Sequence, residues 1–88
     1  MLSNVILLNN GQAYTINATN AIRLTVITGA GATAVISRVD SNSQTVDHTV
    51  GAENRETDVT ANTKKVIDVD WPFYKVSVTG GSCRVALI

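Results

Sequence analysis

Apolar side chains recur at every second position along most of this chain, the period of a strand with one buried face. In residues 21–28, Ile22, Leu24 and Val26 share one face, and Arg23, Thr25 and Ile27 share the other. Residues 33–39 place Ala34, Ile36 and Arg38 opposite Val35 and Val39. Residues 45–50 set Val46, His48 and Val50 against Thr45, Asp47 and Thr49. Residues 65–69 carry Ile67 and Val69, then Trp71, on one face, with Asp68 and Asp70 on the other. Residues 73–79 alternate Tyr74, Val76 and Val78 with Lys75, Ser77 and Thr79. At the end, Cys83, Val85 and Leu87 alternate with Arg84, Ala86 and Ile88. Residues 13–16 put Tyr14 and Ile16 on one face, and residues 5–8 are apolar throughout. Residues 55–60 hold only Val59 and several charges, which suits an exposed edge whose charges blunt further pairing.

Turn chemistry separates these segments. Asn10-Gly11 is the preferred pair of a type I′ hairpin turn and predicts that residues 5–8 and 13–16 form a hairpin. Gly80-Gly81 predicts a second hairpin joining the last two strands. Gly29-Ala30-Gly31 and Asp40-Ser41-Asn42-Ser43 read as turns. Pro72 has no N–H, so it belongs at a strand start, an edge or a bulge, with the Trp71–Pro72 bond trans by default. About eight short strands at roughly ten-residue spacing predict an all-β chain, an antiparallel sandwich or barrel forming one domain over 1–88. Residues 71–88 hold three of the four aromatics and are expected to organise its core.

Composition agrees. The chain is rich in Val and Thr but has only three lysines and two glutamates, a poor supply for helix surfaces. Seven basic and seven acidic residues cancel, without the clustered Lys/Arg of a nucleic-acid binder. The apolar stretch 2–8 is too short to span a bilayer and lacks the flanks of a secretory signal, so synthesis in a cytoplasm is expected. Cys83 is the single cysteine, which rules out an intrachain disulfide. Cys83 and His48 are the only soft metal ligands, too few for a structural zinc. Partner subunits remain the common way to stabilise so small a domain.

No residue set forms a catalytic signature, and neither an enzyme nor a cofactor is expected. His48 shares its face with two valines and reads as a half-buried structural histidine. Cys83 has no activating neighbour on its face and reads as a small buried hydrophobe. Asp68 and Asp70 fall on one strand face and could hold calcium, as could Asp40 with Asn42, yet nothing supplies the remaining oxygens. Trp71, Phe73 and Tyr74 could stack on a sugar, but large aromatics more often fill a core or an interface.

Some strands are apolar on both faces. Val5, Ile6, Leu7 and Leu8 form an unbroken run, while Ile27 and Ile88 sit on otherwise polar faces. A second dry face suggests burial against another chain, so these six residues are interface candidates; a barrel or a loop-covered sheet would also explain them.

The ending resembles small virion proteins of tailed bacteriophages. The resemblance rests on Trp71-Pro72-Phe73-Tyr74, on Val76 to Gly81 and on Val85 to Ile88, after a meander rich in Thr, Asn and Val. It implies a multi-copy structural protein of the virion, of the capsid decoration (cement) or head and tail accessory kind. Its implied partners are copies of itself, taken as a trimer, and virion proteins such as the major capsid protein, with no nucleic acid and no membrane. The alternative from a different class is a carbohydrate-binding module with Trp71 and Tyr74 as stacking rings and Asp68 or Asp70 as acceptors.

Overall fold

The alternating segments become strands because each can bury one stripe of Val, Ile, Leu or Tyr only by packing it on another strand layer. A computed structural model describes residues 3–44 and 55–88. Its strands are β1 (Ser3–Leu8), β2 (Ala13–Asn17), β3 (Arg23–Thr28), β4 (Thr33–Arg38), β5 (Lys64–Asp68), β6 (Phe73–Thr79) and β7 (Cys83–Leu87). They form two antiparallel sheets in the orders β1-β7-β3-β5 and β2-β6-β4. The all-β sandwich expected from the periodicity is therefore the observed architecture. The predicted strand over 45–50, with His48, lies outside the described residues.

Odd-numbered strands make the first sheet and even-numbered strands the second. Each connection between consecutive named strands thus crosses the sandwich. Residues 55–59 add short antiparallel bridges to the free side of β4, Ser37 with Arg55 and Ala34 with Val59. With that segment included, the second sheet reads β2-β6-β4-(55–59). Four strands thus face three and a bridged segment, in the strand order of a jelly roll, two Greek keys folded over each other.

Both predicted hairpins are corrected by this topology. β1 and β2 lie in different sheets, as do β6 and β7. At residues 9–12, Gln12 N–H donates to the Asn9 carbonyl at 2.9 Å, and of the two central residues only Gly11 has positive φ, at 84°. That is type II geometry; a type I′ turn needs positive φ at both central residues. At the other connection Gly80 has φ 80°, and a Cβ there would overlap the Gly31 carbonyl oxygen. The turn between β6 and β7 therefore packs backbone to backbone on the turn between β3 and β4. Gly29 N–H donates to the Ser82 carbonyl at 2.9 Å and ties the two together.

The core lies between the sheets. Leu24, Val26, Val85 and Cys83 from the first sheet meet Ile36, Tyr74, Val76 and Val78 from the second. Fully burying one such aliphatic side chain contributes about 1.5–3 kcal/mol relative to leaving it exposed. Residues 71–88 are central, as the aromatic-rich ending suggested, but their strands face each other across the core instead of lying side by side. Thr28, also buried, accepts from Thr63 N–H at 3.0 Å and donates to the Thr60 carbonyl at 2.5 Å, which anchors β5 beside β3.

Candidate functional site

The first sheet has an unusual outer surface. Alternation turns Leu24, Val26, Cys83, Val85 and Ile67 inward, which leaves their neighbours facing out. One row across β1-β7-β3-β5 reads Leu7, Arg84, Ile27, Lys64. The next holds Ala86, Thr25 and Val66. Arg23 and Asp68 face each other beyond it, with Arg23 Nε 3.5 Å from Asp68 Oδ1. Ile88 extends β7 beside Arg23, since each residue's N–H reaches the other's carbonyl, at 3.1 and 3.3 Å.

Leu7, Val66 and Ile88 are 54%, 47% and 49% exposed, and Ile27 is half-buried. Ala86 and Thr25, small residues in the row between them, are buried. The result is a group of exposed apolar side chains, Leu7, Val66 and Ile88, with half-buried Ile27, around the buried Thr25 and Ala86; Arg84 stands between Leu7 and Ile27, and Lys64 and the Arg23–Asp68 pair lie beside them. An antiparallel sheet with one wet face normally carries polar residues there. Several exposed apolar side chains in that position fit a surface that another molecule covers.

A second cluster closes one end of the sandwich. Arg38, at the end of β4, is 8% exposed. Its Nε and Nη2 donate to Asp70 Oδ1 and Oδ2 at 2.9 and 3.0 Å, and Nη2 also donates to Glu56 Oε2 at 2.7 Å. The guanidinium carbon lies 5.6 Å from the centroid of the Tyr74 ring. Tyr74 Oη donates to Asp70 Oδ1 at 2.6 Å and accepts the Asp70 N–H at 3.0 Å. Burial works against the charge on Arg38, but the bonds to Asp70 and Glu56 outweigh it and hold the group above its ordinary value. The Arg38 and Tyr74 hydrogen bonds hold the Asp70 carboxyl below the usual carboxylate range. Burial, then the bond to Asp70, pushes the Tyr74 phenol up. Arg38, Asp70, Glu56 and Tyr74 thus satisfy one another, which describes a structural clasp and leaves no group poised for proton transfer.

The sequence candidates distribute unevenly over these two places. Leu7, Ile27 and Ile88 lie on the outer face. Val5 is exposed but sits at a register shift of β1, at the seam between the sheets. Leu8 belongs to the core and Ile6 packs against it, so neither lies on the outer face: the apolar run alternates like any strand. Tyr74 is 0% exposed and cannot offer a ring to a sugar, which corrects the stacking pair. Trp71 is half-buried against the core, with its indole N–H donating to the Val39 carbonyl at 2.9 Å.

Asp68 and Asp70 do not act together either. β5 ends at Asp68, which faces Arg23, whereas Asp70 turns back to Arg38. Asp40 Oδ1 accepts the Asn42 and Gln44 N–H groups at 2.8 and 3.0 Å, a turn that bonds its own backbone. Cys83 is a core residue, and burial raises its thiol.

Val66, Ala86 and Thr25 were not singled out by sequence reasoning. Val66 carried the same signal as Ile27, an apolar residue on a polar strand face. Arg38 carried another, a lone charge in the apolar alternation of Ala34 and Ile36, which requires a buried partner. Compared with protein-family models, with curated proteins and with solved structures, the chain matches none of them.

Proposed function

We propose that this chain is a non-enzymatic structural subunit of a virus particle, a capsid decoration or cement protein of a tailed bacteriophage, that seats the outer face of its first sheet on the shell. The observation that carries the reading is the set of exposed apolar residues Leu7, Val66 and Ile88, with half-buried Ile27, around Thr25 and Ala86 on the outer face. Such a set favours binding through removal of apolar surface from water, with Arg84 among it and Lys64 and the Arg23–Asp68 pair beside it as polar contacts. Jelly-roll strand order supports the reading by analogy, because capsid domains use it; lectins and cupins use it too, so the exposed apolar set and not the fold carries the argument. The likeness of residues 71–88 to tailed-phage virion proteins supports the particle class.

The test is quantitative mass spectrometry of gradient-purified virions made from the genome that encodes the chain. The expected result is many copies per particle. Co-sedimentation of the purified chain with capsids that lack it then examines the surface, with Leu7→Asp and Val66→Lys expected to abolish binding. A chain absent from virions and left in the supernatant would overturn the proposal.

A further inference from the structure

The charges of the sandwich are segregated by edge. No charged side chain precedes Arg23 in the sequence, so β1 and β2 carry none, and neither contains proline. These two strands form one lateral edge of the sandwich, β1 at the rim of the first sheet and β2 at the rim of the second. The opposite edge, β5 and residues 55–59, carries Arg55, Glu56, Asp58, Lys64, Lys65 and Asp68. Exposed strand edges offer unpaired N–H and C=O groups to other chains, and charges or proline are the usual protection. Among the described residues, charge marks one edge in both sheets and the other in neither, where a register shift of β1 between Ser3 and Ile6 is the one protective irregularity.

The uncharged edge also has an apolar groove. About 340 Å³ of open space lies between the two rims, lined by Val5, Ile6, Tyr14, Ile16, Asn17 and Leu87. Val5 is 53% exposed and Tyr14 is exposed beside it. Antiparallel self-pairing of an edge strand needs only a twofold axis. If that axis runs normal to the sheet layers, β1 meets β1 and β2 meets β2 at once, and both sheets continue into the second copy. A lone unprotected strand would explain a gap in one sheet; the missing charge on both rims matches this one operation.

We infer that the uncharged β1–β2 edge is a homodimer interface, in which a second copy of this chain extends both sheets across a twofold axis. The interface is isologous and closed, because each copy uses up the one uncharged edge among the described residues and the other edge carries charge. It leaves the outer face of the first sheet free, and so deepens the structural reading above by naming one of its partners. Twofold pairing is proposed in place of the trimer taken above.

Sedimentation velocity over a wide concentration range tests it. The expected species is the mass of two 9.3 kDa chains. Val5→Lys and Tyr14→Lys each set like charges across the twofold seam, and should raise the dimer dissociation constant by at least about tenfold. Val66→Lys, on the face and away from this edge, should leave the dimer intact. Hydrogen exchange on the unmodified chain gives a second readout, with β1 and β2 amides slowing as concentration rises. A monomer at every concentration, a trimer, or a dimer broken by Val66→Lys and untouched by Tyr14→Lys would overturn the inference. A monomer that still co-sediments with capsids would overturn this inference alone, whereas a dimer absent from virions would overturn only the proposed function.

Discussion

The Arg38 guanidinium holds the Asp70 carboxylate by two parallel hydrogen bonds, 2.9 and 3.0 Å long, across a separation of 32 residues. The pair ties the end of β4 to the loop between β5 and β6, so it fixes the path by which the chain passes from one sheet to the other. Replacing Asp70 by Asn weakens that grip on a nearly buried cation. Asp70 itself is more than half exposed and Glu56 keeps its bond, so the expected loss is about 1–2 kcal/mol, read from urea midpoints at neutral pH.

Acid should reveal the same contact. The folded-state value of Asp70 lies below its ordinary one, so its contribution is fully present above about pH 3.9 and is lost as pH falls through the lower folded value. The stability gap between the unmodified chain and Asp70→Asn should therefore be constant at neutral pH and close in strong acid. A gap that persists unchanged to the acid unfolding transition would refute the assignment.

Tyr74 titrates in the opposite sense. Burial and the Asp70 bond raise its value, so its neutral form stabilises the fold below about pH 10 and that contribution fades as pH rises through the higher folded value. Tyr74→Phe should cost about 1–2 kcal/mol near neutrality, since its hydroxyl serves both Asp70 Oδ1 and the Asp70 N–H. In thermal melts the difference should narrow in alkali.

Two glycines with nearly equal φ should respond differently to alanine. Gly11 at 84° has open space where a Cβ would go, so Gly11→Ala meets left-handed strain alone, about 1–2 kcal/mol. Gly80 at 80° meets the same strain and also the Gly31 carbonyl. Gly80→Ala should lower the melting temperature clearly more than Gly11→Ala. Equal shifts would mean that the two turns are not packed against each other.

Cys83 should behave as a buried thiol. Burial raises it, so little thiolate exists near neutrality and the sulfur is screened as well. Labelling with a thiol-specific chromogenic reagent should be very slow in native buffer and fast in urea. Rapid native labelling would contradict its place in the core.

Strand content and buried faces were legible in the chain because alternation is a local property. Tyr74, Val76 and Val78 could be assigned to an inner face from their spacing, as could Cys83 and Val85, and all five are buried. Leu8 was less transparent, since a run of apolar residues hides which members point inward. The outer apolar set was partly visible in Leu7, Ile27 and Ile88, but Val66 joined it only when β5 was laid beside β3.

By itself, then, the sequence determined that this is an all-β chain with one apolar stripe per strand, and it placed most residues of those stripes, although Ile22 and Tyr14, grouped with buried neighbours, are exposed. Tertiary structure decided which strands lie beside each other and which lie opposite. An apolar stripe is satisfied equally by a neighbour folded alongside to share its face or by one folded over to cover it, so Asn10-Gly11 and Gly80-Gly81 looked like hairpins. The packing of Gly80 on Gly31 and the clasp of Arg38 on Asp70 join residues far apart in sequence, and both belong to the folded-over solution. The same arrangement gathers the uncharged strands β1 and β2 at one edge and the charged segments at the other, a segregation that no local reading of either strand contains.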